Sequence, residues 1–212
     1  MYFKVLLEMQ EKDIYSELNS IRSLMERSTK FISLSGLSGI MAGIYAILGA
    51  ALAYKIVYTE AALKYQDNLV AIETVWQLIF IAAAVLIFSV VTGIWLTIRQ
   101  ARKKGEKFWN PVSRRLLVNM AIPLVTGGLF AVTLILQGSY ELVPAACLIF
   151  YGLALISGSH YTLSDVKWLG VFEIIIGLLA ALFPVYGLLF CIVGFGLLHI
   201  LYGSIMHFKY KQ

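Results

Sequence analysis

The sequence predicts an all-α, polytopic membrane protein. Six transmembrane helices form three hairpins over residues 31–212, preceded by an amphipathic cytoplasmic helix over residues 1–30. Three observations predict it. The chain is 60% hydrophobic and 14% charged, with a mean hydropathy of +0.82, whereas soluble domains are about half apolar and a quarter charged. Apolar runs recur at lengths near the ~17–25 residues that cross a bilayer. The basic residues gather on alternate connections between those runs.

Residues 1–30 carry no early apolar core, so no cleavable signal peptide is expected and the first hydrophobic helix directs insertion. Asp13 can cap a helix in which Ile14, Leu18, Ile21 and Met25 follow at helical spacing. That stripe predicts either a helix lying on the membrane or a seam for a second copy or a cytoplasmic partner protein. Sustained heptads are missing, which excludes a long coiled coil.

Helix 1 is expected over residues 31–54. Its small residues, including Ser35, Gly39 and Gly43, recur every three or four positions, a pattern that lets helix backbones approach closely in lipid. Residues 55–73 form the largest external connection, read as a helical extension and a return. Helix 2 is expected over 74–98. The loop 99–115 then holds Arg99, Arg102, Lys103, Lys104, Lys107, Arg114 and Arg115 against Glu106 alone, with Pro111 breaking any helix through it. It reads as a topology signal, or as a surface for anionic lipid headgroups or a partner. No recognition motif accompanies the charges, which excludes nucleic acid.

Helix 3 is expected over 116–137, with Asn119 in its first turn and Pro123 as a point of kinking. Helix 4 covers 141–157. The last two helices come from the run between Trp168 and Met206, which Pro184 splits. Of the Lys and Arg residues, the N-terminal segment holds five, the second loop seven, the fourth loop one and the tail two. The two others, Lys55 and Lys64, lie on the opposite side. Positive charge stays cytoplasmic, so both termini face inside and the number of crossings is even. Trp109, Tyr161 and Trp168 would form an inner aromatic belt, and Tyr54, Trp76, Tyr140 and Tyr186 an outer one.

Chemistry is scarce. Cys147 and Cys191 lie inside apolar runs without CxxC or metal-ligand spacing. No nucleophile motif, phosphate loop or HExxH occurs, so neither an enzyme nor a cofactor is expected. The specific signal is Glu173 and His199 within the last hairpin. Glu173 lies about 7 Å and His199 about 12 Å from the cytoplasmic side, at 1.5 Å per residue. Asn119, Ser35 and Ser38 fall in the same half, so the five residues are expected to line a cytoplasm-facing polar cavity. A charge at the membrane centre costs ~2.5–3.5 kcal/mol on the lenient scale, so Glu173 needs a partner, a proton or water. The expected function is a small transporter, channel or pH-responsive protein. The alternative is a non-catalytic scaffold or regulatory subunit.

The chain also suggests a repeat. CLIFYGLALISGS from Cys147 matches CIVGFGLLHILYGS from Cys191 with one residue inserted, and GIYAIL, GLFAVT and GLLAAL recur at Gly43, Gly128 and Gly177. With the turn FPVYG, this pattern over helices 3 to 6 resembles the bacterial six-helix short-repeat membrane proteins of the acid-resistance type. The long basic loop and the charged N-terminal helix depart from that family. The resemblance implies the fold, a bacterial inner (cell) membrane and a stress-related role.

Overall fold

The computed structural model describes residues 35–63, 72–105 and 108–209, with side chains assigned throughout except at 58–63 and 72. All described elements are helical, and no strand occurs among the described residues. Helix α1 spans Gly36–Leu63, α2 Ile72–Lys103, α3 Pro111–Leu136, α4 Val143–Ser159 and α5 Asp165–Leu182. A 3₁₀ turn, Pro184–Tyr186, leads into α6, Gly187–Cys191. A π-helical stretch, Ile192–Leu198, joins α6 to α7, His199–Lys209. These last pieces form one C-terminal rod.

Among the described residues five helices are long and apolar enough to cross a membrane: Gly36–Val57, Glu73–Lys103, Pro111–Leu136, Tyr140–Ser159 and Pro184–Lys209. The chain thus has the build of an integral membrane protein. The remaining helix, α5, is 18 residues long and carries Asp165, Lys167 and Glu173, which lowers its apolarity. The expected amphipathic helix with Ile14, Leu18, Ile21 and Met25 lies outside the described residues.

Two expectations about helix ends change. Helix α2 ends at Lys103, so no single helix runs through the 99–115 connection, but Pro111 itself opens α3. Asn110 Oδ1 accepts from the Ser113 N–H at 2.8 Å, and Ser113 Oγ accepts from the Asn110 N–H at 2.9 Å. This reciprocal cap satisfies orphan donors of the first turn, and proline is tolerated there because its missing N–H has no intrahelical partner anyway. The helix therefore starts five residues before the expected position, and Arg114 and Arg115 sit within its first two turns. Second, α2 runs on through Arg102 and Lys103, whose charges suit the negative end of a helix dipole. Gly105, at φ 69°, and Gly138, at φ 74°, take left-handed conformations after α2 and α3, which glycine adopts without Cβ strain.

The centre of the molecule is made by α1, α4, α5 and the C-terminal rod. Helix α2 packs on α1, and α3 packs on α4. None of α2's apolar window is buried within the molecule; Trp76, Phe80, Phe88 and Trp95 all point outward. An all-round apolar helix of this kind suits a lipid surface. Two buried clusters fill the centre. One gathers Leu155, Leu163, Val166, Leu169 and Met206, with Tyr151, Leu198 and Tyr202 against it. The other gathers Ala145, Leu148 and Ala180, with Ile176, Phe190, Cys191 and Phe195 against it.

Glycine sets how closely these helices pack. A methyl group added at Gly39 would lie 3.2 Å from Gly203 Cα, and one at Gly36 would lie 2.5 Å from the His207 backbone nitrogen. The small-residue stripe of helix 1 is thus the seam against α7, where van der Waals contact between backbones replaces side-chain packing. Pairing Gly36 with His207 and Gly43 with Gly196 shows that α1 and the rod run antiparallel.

Candidate functional site

Glu173 is a fully buried polar side chain of the core, at 0% exposure. It projects from α5 toward the C-terminal rod. His199, the first residue of α7, is 6% exposed. Its Nδ1 lies 3.3 Å from Glu173 Oε1 and 3.1 Å from the Gly194 carbonyl oxygen. On its other side, Nε2 lies 2.8 Å from the Tyr151 hydroxyl of α4. The Tyr151 and His199 rings have centroids 5.4 Å apart, and Phe195 packs edge-on against Tyr151 at 5.4 Å.

Neither oxygen of Glu173 makes a hydrogen bond. The 3.3 Å contact is consistent with this, because a ring N–H at Nδ1 is aimed at Gly194 O and leaves Oε1 close but off its axis. With that tautomer, inferred from the partners rather than observed, Nε2 accepts from the Tyr151 O–H. The arrangement has one ring hydrogen at Nδ1 and two acceptors competing for it, Gly194 O and Glu173 Oε1. A buried carboxyl group without a partner is costly, so it stands out from ordinary packing.

Local sequence explains the geometry. Gly194 is the gap into which the carboxyl group fits: a methyl group there would lie 2.6 Å from Glu173 Oε2 and 2.5 Å from Leu148 Cδ2. Gly194 and Gly196 both fall in the π-helical stretch. Glycines lower the cost of departing from α geometry, and π-bulges inside helices concentrate at functional sites. Sequence reasoning expected an unbroken helix here and missed both Gly194 and Tyr151. The available signal was the repeat itself, in which Gly194 stands opposite Phe150 once Cys147 and Cys191 are aligned.

The other residues expected beside the pair bond elsewhere. The Asn119 amide donates to the Arg115 carbonyl of its own helix at 2.8 Å, on α3, which packs against α4. Ser38 donates through both its N–H and its hydroxyl to the Ser35 carbonyl, at the start of α1 beside the Gly203–His207 end of α7. The pair is therefore closed and apolar-walled, with Leu148, Tyr151 and Phe195 around it, rather than joined to these three in one polar cavity. Among the described residues no group of three His, Cys, Asp or Glu side chains is placed to hold a metal ion.

The basic residues flank the α2–α3 connection. Arg102 and Lys103 close α2, Lys104 begins the turn, and Arg114 and Arg115 open α3, all five of them exposed. Lys107 lies outside the described residues. Arg99 stacks over Trp95 at 5.9 Å. Comparison with protein-family models, with curated proteins and with solved structures finds no match.

Proposed function

We propose that this chain is a proton-responsive protein of the bacterial cytoplasmic membrane, in which Glu173, His199 and Tyr151 form the proton-binding core. It crosses the membrane six times as three hairpins, α5 being one of the crossings, with both termini cytoplasmic. The resemblance to six-helix short-repeat membrane proteins fits this plan. So does the gathering of basic residues where α2 meets α3. The role is binding and conformational, not catalytic.

One observation carries the reading: a fully buried carboxyl group with neither oxygen hydrogen-bonded, 3.3 Å from an imidazole nitrogen. A proton is the ligand that such a closed site admits. Once protonated, Glu173 becomes a donor and gives its O–H to His199 Nδ1. The ring must then carry its hydrogen at Nε2 and donate to the Tyr151 oxygen. The Gly194 carbonyl loses the imidazole N–H in the process. A single proton thus rewires bonds among α4, α5 and the π-helical stretch, the kind of local charge event that biases a two-state element.

Infrared difference spectroscopy on the full chain in lipid tests this. Acidification should raise a protonated-carboxyl band that is lost in Glu173→Gln. A Glu173-dependent band that does not change between alkaline and acidic conditions would sink the proposal.

A second reading has its own support. Arg102, Lys103, Lys104, Arg114 and Arg115 make no ion pair among the described residues. A scaffold that meets anionic lipid or an acidic cytoplasmic partner would use this rim together with the N-terminal segment.

A further inference from the structure

The glycine contacts fall into two matching sets. A methyl group at Gly43 of α1 would lie 2.6 Å from Gly196 O, 2.7 Å from Ile200 Cγ1 and 3.0 Å from Ile200 N. A methyl group at Gly152 of α4 would meet the same three atoms of α5: Gly170 O at 2.6 Å, Ile174 Cγ1 at 2.7 Å and Ile174 N at 3.0 Å. Every helix contributes Gly-x-x-x-Ile to these contacts: Gly43–Ile47, Gly196–Ile200, Gly152–Ile156 and Gly170–Ile174. The residue before the isoleucine is Ala46 in α1 and Leu155 in α4. In the rod it is His199, and in α5 it is Glu173. The two polar partners therefore hold the same place in two matching helix pairs.

Direction adds to the match. Helix α1 is antiparallel to the rod, α4 to α5, and α5 to the rod across the Pro184–Tyr186 turn. Exchanging α5 with the rod and α4 with α1 thus reverses every helix. That is an approximate two-fold axis lying across the helices and passing between Glu173 and His199. The outer helices follow it: Gly49 of α1 is filled by Val85 of α2, and Gly158 of α4, in the matching register, by Met120 of α3.

Within each pair the backbones come into direct contact at the glycines, with isoleucine side chains beside them. Between the pairs it is made by side chains, namely Glu173, His199, Tyr151, Leu148 and Phe195. Packed backbones move as rigid units, whereas side-chain interfaces allow small sliding motions. Inverted repeats with an ion site at their interface and a broken helix beside it are the physical basis of alternating access.

We propose that the two pairs rock about this axis, expose the Glu173–His199 site in turn to the two sides of the membrane, and so carry protons across it. The inference rests on the proton-binding reading of the pair. A proton from water on one side adds to the Glu173 carboxylate and leaves from the same oxygen to water on the other, moving one positive charge.

Asp165 of α5 and Lys209 of α7 link the two pairs at one end, with Nζ 2.9 and 3.1 Å from the carboxylate oxygens. The test uses full-length protein with Cys147→Ala and Cys191→Ala, in phosphatidylethanolamine–phosphatidylglycerol vesicles holding a pH dye, under a potassium diffusion potential. Proton flux should exceed that of empty vesicles several-fold and fall to background in Glu173→Gln. In Asp165→Cys/Lys209→Cys, which keeps the site intact, a short bifunctional thiosulfonate should abolish flux and reductant should restore it. Undiminished flux after complete cross-linking would overturn rocking. Absence of flux in folded, unlinked protein would overturn proton carriage, while a Glu173 infrared band that still appears on acidification would leave the proton-binding reading standing.

Discussion

Glu173 occupies the space that a side chain on Gly194 would need: a methyl group there would sit 2.6 Å from Oε2. Overpacking a closed interior costs about 1–3 kcal/mol. Gly194→Ala should therefore lower the melting temperature of the detergent-solubilised protein. Pairing it with Glu173→Ala, which vacates the carboxyl group, should recover part of the loss. Equal melting for Gly194→Ala and the parent would show that the glycine is not required by the carboxyl group.

The Glu173–His199 contact should appear as energetic coupling. Glu173→Gln and His199→Ala each leave a buried polar group with a missing or altered partner, at a cost of a few kcal/mol. The double variant should lose clearly less than the sum of the two. Strict additivity in denaturant unfolding would refute coupling across the 3.3 Å contact.

Tyr151→Phe removes the hydroxyl 2.8 Å from His199 Nε2 and nothing else of size. The expected loss of stability is about 0.5–1.5 kcal/mol. Nitrogen NMR of labelled histidine should show a changed Nε2 environment. An unaltered His199 spectrum would mean that the hydroxyl does not bond the ring.

Matching contacts predict matching sensitivities. Gly43→Ala and Gly152→Ala would each place a methyl group 2.6 Å from a carbonyl oxygen of the neighbouring helix, and both should destabilise by similar amounts, about 1–3 kcal/mol. At Gly93 and Gly128 a methyl group meets nothing within 4 Å. Alanine there should be neutral or stabilising by up to about 1 kcal/mol, since glycine weakens a helix interior. Comparable losses at all four positions would dismiss the seams as the cause.

Topology is open to labelling. With both termini cytoplasmic, Gln137→Cys after α3 should react with an impermeant thiol reagent applied to whole cells. Lys103→Cys at the end of α2 should react only after lysis. The reverse pattern would invert the proposed orientation.

Apolar run length and the placement of Lys and Arg made the helices and their order legible from the sequence, because both depend on composition along the chain. Asn110, Ser113 and Pro111 were legible in principle as a helix start, yet the proline was read as a breaker, since its role depends on whether its absent N–H falls in the first turn. Glu173 and His199 stood out because a carboxyl group and an imidazole are rare in apolar helices. Their similar depth in the last hairpin predicted that they face each other or a common cavity, but the helix rotation that brings them to 3.3 Å was not legible, because rotation is decided by which face packs against partners elsewhere in the chain. Gly43 against Gly196 and Gly152 against Gly170 set those rotations. They turn Glu173 and His199 toward each other, bring Tyr151 to the imidazole and leave Asn119 and Ser38 to donate to the nearby backbone carbonyls of Arg115 and Ser35. Only backbone contact between helices far apart in sequence could decide this, and with it the π-helical stretch that gives the carboxyl group its room.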